Sequence, residues 1–417
     1  MTLAARLGSA NTYDIAVRNI MTRQSSLAGL QENLTSGKKV VRASDDPTGA
    51  ALAERAIMRL ARIETDQRAL ASQRSAIVQA ESTLGDVTDA LQDFRDLVVT
   101  AGNAAYSAQE YKGVADQLTG LRNQILTLAN RKDTNGLPLF SALGSDTQPF
   151  VGPQTPLAQD YTFRGLPGQT ASTDVAIPFA LDGERAFMMK PERDGAYNVA
   201  LTTVTAPAHA ISTSGVQMVN SSLVSSASAY TITISGVDTT TTPGSTTVTY
   251  DITDTSGATV VPSGTNTYTT TNNANIPVTE IPGLSLSIRG APAVGDVLTL
   301  NPRPSIFSVL DDAIRDIGNA TNGNAASQAV GQALNNVDIG MSRISAIRGQ
   351  AGDLLNRADR ISANQDKRSI EVEGDRARAE DLDITKGISD FQNQQVGYQA
   401  ALQSYAQVQK LSLFNFL

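Results

Sequence analysis

Apolar residues recur with alternating spacings of three and four over long stretches at both ends of the chain. Such spacing keeps the apolar side chains on one side of a helix, as in coiled coils. The pattern therefore predicts long helices that pair along apolar seams. The series run over residues 13–34, 77–98, 114–128, 330–358 and 384–405.

Proline separates these helical arms from a central region of different character. Pro47 stands alone near the start, and the other fifteen of the 16 prolines lie between Pro138 and Pro304. Proline disrupts helix interiors, so the proline-free stretches on either side can form long helices. The centre instead contains runs such as YTITISG and LSLSIRG, whose alternation of apolar and polar residues is typical of antiparallel strands.

The predicted fold class is α+β. A long, coiled-coil-like helical rod is built from the N- and C-terminal arms, and it carries a central, mostly antiparallel β region. Five segments are predicted: 1–46, an N-terminal axial helix and turn; 47–137, long helices of the rod; 138–212, a small β region and linker; 213–304, an inserted β domain; and 305–417, C-terminal helices of the rod and axial core.

The composition offers few of the side chains that enzymes commonly use in catalysis. The chain has no Cys and one His, His209, which lies in a Pro/Ala/Thr-rich connector and is expected to be solvated. Thiol nucleophiles, zinc–thiolate sites and paired-histidine metal sites are therefore excluded. We expect no enzymatic activity, no catalytic residue, no cofactor and no metal site.

The net charge and the hydropathy of the chain argue against nucleic acid and membranes as partners. The net charge of −8 argues against nucleic acid, because binding phosphates requires a basic surface. No window approaches the 18 or more apolar residues of a membrane span, and the N-terminus lacks the apolar core of a signal peptide. Ordinary rules thus predict a cytoplasmic protein, unless a dedicated machine exports it without cleavage.

Two adjacent carboxylates, at the start of the sequence DDP, could form an acid–base pair, a metal site or a helix start. Asp46 followed by Pro47 favours the helix start, because aspartate is a strong N-cap residue and proline suits the first helical position. No His or Cys lies nearby to complete a chemical site. Upstream, Lys38 and Lys39 are expected to form a solvated turn with Gly37. The predicted cap comprises Ser44, Asp45, Asp46 and Pro47.

The C-terminal sequence QKLSLFNFL is unusually apolar for a chain end. An exposed apolar end is costly unless a partner covers it. It could dock on the chain's own N-terminal helix, or both ends could form a helical pair that packs against neighbouring subunits. The predicted assembly interface comprises Leu27, Leu30, Leu34, Leu411, Leu413, Phe414, Phe416 and Leu417.

Three motifs resemble the flagellin superfamily: LAGLQENLTSGKKVVRASDDPTGAALAERA at 27–56, LANRKDTNGLPLFSALGSDTQPF at 128–150, and the closing LSLFNFL. The proline after the Asp-Asp pair and the last residues are closer to the hook–filament junction branch than to flagellin. The resemblance covers about residues 1–150 and 305–417. It does not extend to the first dozen residues, nor to the long β centre, which is expected to include an inserted domain near 213–300.

The resemblance implies a non-enzymatic adaptor that assembles as a short helical tier in the extracellular part of the bacterial flagellum. It implies export by the flagellar type III pathway without a cleaved signal, and terminal arms that order on assembly. The implied partners are the first hook-associated protein, flagellin, further copies of the chain and an export chaperone, with no nucleic acid and no membrane. Two alternatives stay open: a flagellin that forms the filament itself, and a secreted oligomeric binding protein.

Overall fold

The computed structural model describes residues 9–153, 160–204, 211–225, 229–238, 240, 246–268 and 274–414. The chain forms two compact units. Unit 1 comprises Met1–Arg68 and Ile361–Leu417, and unit 2 comprises Ala69–Arg360. His209 lies outside the described residues, so its solvated environment stays a prediction.

Eight helices are described. Five exceed twenty residues, as the apolar periodicity and the distribution of proline predict. They are α1 (Ser9–Ser36), α2 (Pro47–Ala101), α3 (Ala108–Ala129), α4 (Gly183–Phe187), α5 (Pro191–Asp194), α6 (Ile306–Gly318), α7 (Gly323–Glu380) and α8 (Ile384–Phe414). The boundary between the two units falls within α2 and within α7.

Unit 1 consists of two helix pairs. Helix α1 packs against α8. In the second pair, small side chains of α2 such as Ala53 and Ala56 are buried, as is Ala379 of α7. A hydrogen bond of 2.8 Å from Gln67 Nε2 to Asp366 Oδ1 links the two helices at the far end of the pair.

The helical core of unit 2 consists of buried apolar side chains. The α2 residues of the predicted seam are fully buried there, and they are joined by apolar residues of α3, α6 and α7. This burial supplies the main stabilisation of the unit, at about 1.5–3 kcal/mol for each large apolar side chain. The buried seam residues of α2 are Ile77, Ala80, Leu84, Val87, Leu91, Phe94 and Val98.

The described strands of unit 2 pair antiparallel, and the one parallel pairing described is an isolated bridge between Ala142 and Leu166. A five-stranded sheet has the order β3-β11-β6-β7-β8, and β10 pairs with β4, β5 and β9 in a second sheet. The longer strands are β3 (Tyr197–Thr202), β6 (Tyr230–Asp238), β7 (Thr246–Asp254), β8 (Thr259–Tyr268), β9 (Ala274–Val278), β10 (Leu284–Gly290) and β11 (Val297–Pro302). The shorter ones are β1 (Phe150–Val151), β2 (Thr162–Phe163), β4 (Ile211–Thr213) and β5 (Gln217–Met218).

Amide side chains of α7 hold the edge strand β3. Gln332 accepts a hydrogen bond from Val199 N at 2.9 Å and donates one to Val199 O at 2.8 Å. Asn336 donates to Tyr197 O at 2.9 Å. An edge strand exposes unpaired backbone groups, and these amides satisfy several of them.

The fold-class prediction is confirmed: long helices from both arms accompany central antiparallel sheets. The five predicted segment boundaries stay predictions. Strands β3 and β4, however, share sheets with strands that follow residue 213.

Candidate assembly surface

The three N-terminal leucines of the predicted interface lie on α1 within unit 1. Leu27, Leu30 and Leu34 are each half-buried. Gly387 of α8 is buried opposite Leu34, and a Cβ on this glycine would lie 3.2 Å from Leu34 Cδ2. Glycine therefore permits the close approach of the two helices at this point.

The C-terminal part of the predicted interface is described only in its backbone. Leu411, Leu413 and Phe414 lie in the last turn of α8. Phe416 and Leu417 fall outside the described residues. The assembly role of all eight predicted interface residues stays a prediction.

Other apolar side chains of unit 1 are strongly exposed, and the sequence did not single them out as surface residues. Ile370, within the charge-dense part of α7, is 74% exposed. Ile384, Ile388 and Leu402, which the periodicity assigns to a seam of α8, are also exposed. Contiguous exposed apolar surface marks interaction sites in soluble proteins. The whole set is Ile15, Met21, Leu52, Ile57, Met58, Ile370, Ile384, Ile388, Val396 and Leu402.

The link between α1 and α2 is bound to the link between α7 and α8. Lys39 N donates to Glu380 O at 2.8 Å, and Leu382 N donates to Gly37 O at 2.9 Å. Lys38 Nζ forms an ion pair with the Glu380 carboxylate. The expected solvated turn is therefore corrected: both lysines contact the end of α7, since Lys39 Nζ also donates to a carbonyl there, at 3.0 Å.

Glu380 is the centre of this corner of unit 1. Its side chain is 11% exposed, and its second oxygen accepts a hydrogen bond of 2.8 Å from Arg376. The hydrogen bond from Lys38 lowers the pKa of Glu380, with a further contribution from Arg376, while burial acts in the opposite direction. The carboxylate is therefore held in its charged form by two cations.

The substitution Glu380→Gln is expected to destabilise this corner by about 1–3 kcal/mol, because it removes the charge that binds both cations. Hydrogen exchange at the Lys39 and Leu382 amides would accelerate. The exposed Glu371→Gln on the same helix is the matched control. Equal exchange rates in both variants would contradict this role.

The lowered pKa of Glu380 also makes the stability of this corner depend on pH. The contribution of the carboxylate is present above the ordinary pKa of 4.5 and is lost as pH falls through the lowered pKa.

The adjacent carboxylates of the DDP sequence bind backbone amides. Asp46 Oδ1 accepts from Thr48 N at 3.0 Å and from Gly49 N at 2.9 Å, at the start of α2. Asp45 Oδ2 instead accepts from Arg42 N at 2.8 Å and from Val41 N at 3.2 Å in the preceding turn. Asp46 thus caps the helix, and Asp45 folds the link that leads into it.

The predicted cap also includes Ser44 and Pro47. Ser44 Oγ lies 3.5 Å from Asp45 Oδ1, and Pro47 is the first residue of α2. Among the described residues, no group of three or more His, Cys, Asp and Glu side chains could hold a metal ion.

A polar groove in unit 2 has a volume of 620 Å³. Residues of α7 with amide side chains and residues of β3 make up much of its wall. Its charged groups pair with one another: Arg315 binds Asp316 at 2.9 Å and Asp312 at 2.8 Å. The groove therefore presents neutral hydrogen-bonding groups and already paired charges.

In the described part of the chain, no helix is long and apolar enough to cross a membrane.

Comparison with protein families and curated relatives identifies the N-terminal arm. Residues 9–145 match the family described as the bacterial flagellin N-terminal helical region. Flagellar hook-associated protein 3 of Escherichia coli is 32% identical over 149 residues, which are 35% of this chain and 46% of that protein. Flagellin of Bacillus subtilis is 31% identical over 134 residues, 31% of this chain and 44% of that protein. The alignments thus span about half the length of these curated relatives.

Comparison with solved structures extends over more of the chain. A crystal structure of flagellar hook associated protein-3 from Legionella pneumophila has a TM-score of 0.62 and 23% sequence identity. The match covers 77% of this chain and 97% of that one. Residues 9–145 thus match the flagellin N-terminal helical region, and the chain has the fold of that hook-associated protein 3, so the resemblance to the flagellin superfamily is confirmed.

Proposed function

We propose that this chain is a structural adaptor of the bacterial flagellum. It assembles as a short helical tier that joins the hook, through the first hook-associated protein, to the flagellin filament. The observation that carries the proposal is the exposure of large apolar side chains on both helix pairs of unit 1, in a chain with the fold of hook-associated protein 3. Burying each of them in contacts between subunits contributes about 1.5–3 kcal/mol.

The proposal includes the route and the partners. The chain is exported unfolded by the flagellar type III pathway, and the absence of cysteine suits such a route, because no disulfide must form or break. An export chaperone covers the apolar C-terminus before assembly. Outside the cell, the partners are the first hook-associated protein, further copies of this chain and flagellin.

Cells that lack this chain are expected to display bare hooks and to shed flagellin into the medium, because no adaptor tier holds the filament. Electron microscopy of the cells and immunoblotting of the medium provide the measurements. A plasmid that encodes the full chain is the control and restores filaments. Normal filaments on the deleted strain would refute the adaptor proposal.

The second candidate is a flagellin that forms the filament itself, and the 31% identity to Bacillus subtilis flagellin favours it. Purified chain added to isolated hooks that carry the first hook-associated protein separates the two candidates. A flagellin grows long filaments from such seeds, whereas an adaptor stops after a short tier. Long filaments of this chain alone would replace the adaptor proposal with the flagellin one.

A further inference from the structure

Three arginines form a stripe on the part of α2 that lies in unit 1. Arg55, Arg59 and Arg62 are spaced i, i+4 and i+7, which places them on one face of the helix, and all three are exposed. Within the described part of the chain, none of them has an ion-pair partner. These residues are called the basic stripe below.

Two residues of the basic stripe, Arg55 and Arg59, line a groove between α2 and α7. The groove has a volume of 390 Å³, and Leu52 and Val372 lie in its wall. Arg378 of α7 lies on the opposite rim and is already paired with Asp375. An apolar floor with an arginine rim is typical of protein interfaces, where arginine is enriched.

Three aspartates form a stripe of the same spacing on the part of α2 that lies in unit 2. Asp89, Asp93 and Asp96 are exposed and, like the arginines, have no ion-pair partner among the described residues. Two of them border a shallow groove of 570 Å³ between α2 and α3, in which Leu97 and Leu121 lie. These aspartates are called the acidic stripe.

We propose that the basic stripe of one copy docks on the acidic stripe of a second copy of this chain. The two stripes have opposite charge and identical spacing, so three arginine–aspartate pairs can form in a single register. Each stripe also lies beside exposed apolar side chains, Met58 at 61% exposure and Val99 at 51%. Unpaired charge and apolar surface are thereby covered in one contact.

This contact joins two different surfaces, so each copy keeps one stripe available after docking. A contact of this heterologous kind repeats from copy to copy and produces an open row or a ring. The inference rests on the proposed function, because it assigns a contact inside the proposed tier. It also makes tier formation sensitive to salt, which screens exposed charges.

Crosslinking tests the contact directly, because the chain contains no cysteine of its own. Purified full-length Arg59→Cys and Asp93→Cys chains are mixed at low salt and treated with a short bismaleimide. We expect a crosslinked dimer in the mixture and a ladder when one chain carries both substitutions. The matched control pairs Arg59→Cys with Asp353→Cys, an exposed aspartate on α7 outside the acidic stripe. A yield no higher than that of the control would overturn the proposal.

Charge reversal provides the second test. Mixing the reversed variants shows whether a loss of association is caused by misfolding. The variants R55E/R59E and D89R/D93R should each associate about tenfold more weakly or worse, because like charges then face each other. Mixing the two variants should restore association, since the charges become complementary again. Rescue excludes misfolding as the cause, and absence of rescue with both variants folded by circular dichroism would contradict the stripe contact.

The outcomes separate this inference from the adaptor proposal. Crosslinks together with normal filaments on cells that lack the chain would keep the contact and refute the adaptor role. Bare hooks on those cells together with no specific crosslink would keep the adaptor role and refute the contact. Binding of the basic stripe to a different acidic flagellar protein, with no contact between copies, would also refute it.

Discussion

Removal of residues 408–417 is expected to abolish incorporation and motility while leaving unit 2 folded. The segment contains Leu411, Leu413 and Phe414, and each contributes about 1.5–3 kcal/mol when buried against a partner. The loss of these three residues alone removes roughly 5–9 kcal/mol from assembly, which lowers the association constant by several orders of magnitude. Swimming assays and immunoblots of sheared flagella measure the effect, and circular dichroism reports the folding of the purified chain.

A serine series separates the effect of apolar surface from that of chain length. Replacing the five apolar residues of the predicted interface in this segment together with serine should reproduce the deletion; they are Leu411, Leu413, Phe414, Phe416 and Leu417. Replacing Gln407, Gln409 and Asn415 with serine changes polar residues in and immediately before the segment without removing apolar surface, so motility should persist. Motility in both variants would show that the tail does not carry assembly.

The substitution Asp311→Ala is expected to destabilise unit 2 by about 3–5 kcal/mol. Asp311 of α6 binds Arg122 of α3, with 3.2 Å between Oδ1 and Nη1, and it accepts a hydrogen bond of 2.9 Å from the hydroxyl of Tyr161. Its side chain is 5% exposed. Alanine therefore leaves a charged guanidinium and a phenol without their shared acceptor in the interior.

An exposed pair of similar geometry provides the control. Arg95 Nε lies 2.8 Å from Asp338 Oδ1, but both side chains are largely exposed. Asp338→Ala should therefore cost at most about 1 kcal/mol, because water replaces the lost partner. Urea unfolding followed by far-UV circular dichroism compares the two variants. An Asp311→Ala cost no larger than that of Asp338→Ala would refute the structural role of the buried pair.

Much of the helical architecture could be predicted from the sequence. Helix periodicity and proline position depend on residues close together in the chain, so α2 was expected to begin at Pro47. The antiparallel strands of the centre were likewise indicated by local alternation, as in β6 and β10. Helix and strand signals of this kind require no knowledge of what packs against each element.

The corner around Glu380 could not be predicted, because its partners are remote in sequence. Lys38 and Glu380 are 342 residues apart, and nothing local to either one indicates the other. Glu380 lies in a charge-dense stretch of α7, and such a stretch by itself indicates a solvated helix face. The stripes of arginine and aspartate were not singled out from the sequence, and the structure shows that they are exposed and without ion-pair partners among the described residues.

The sequence by itself determined the long helices, the cap before Pro47 and the antiparallel centre, because periodicity and turn chemistry act over a few residues. Only the tertiary structure decided which apolar positions are buried. A seam residue such as Leu84 is covered in unit 2, whereas Ile384 and Ile388 of an equally periodic helix remain exposed. Periodicity places side chains on one face of a helix, but burial depends on whether another element packs against that face.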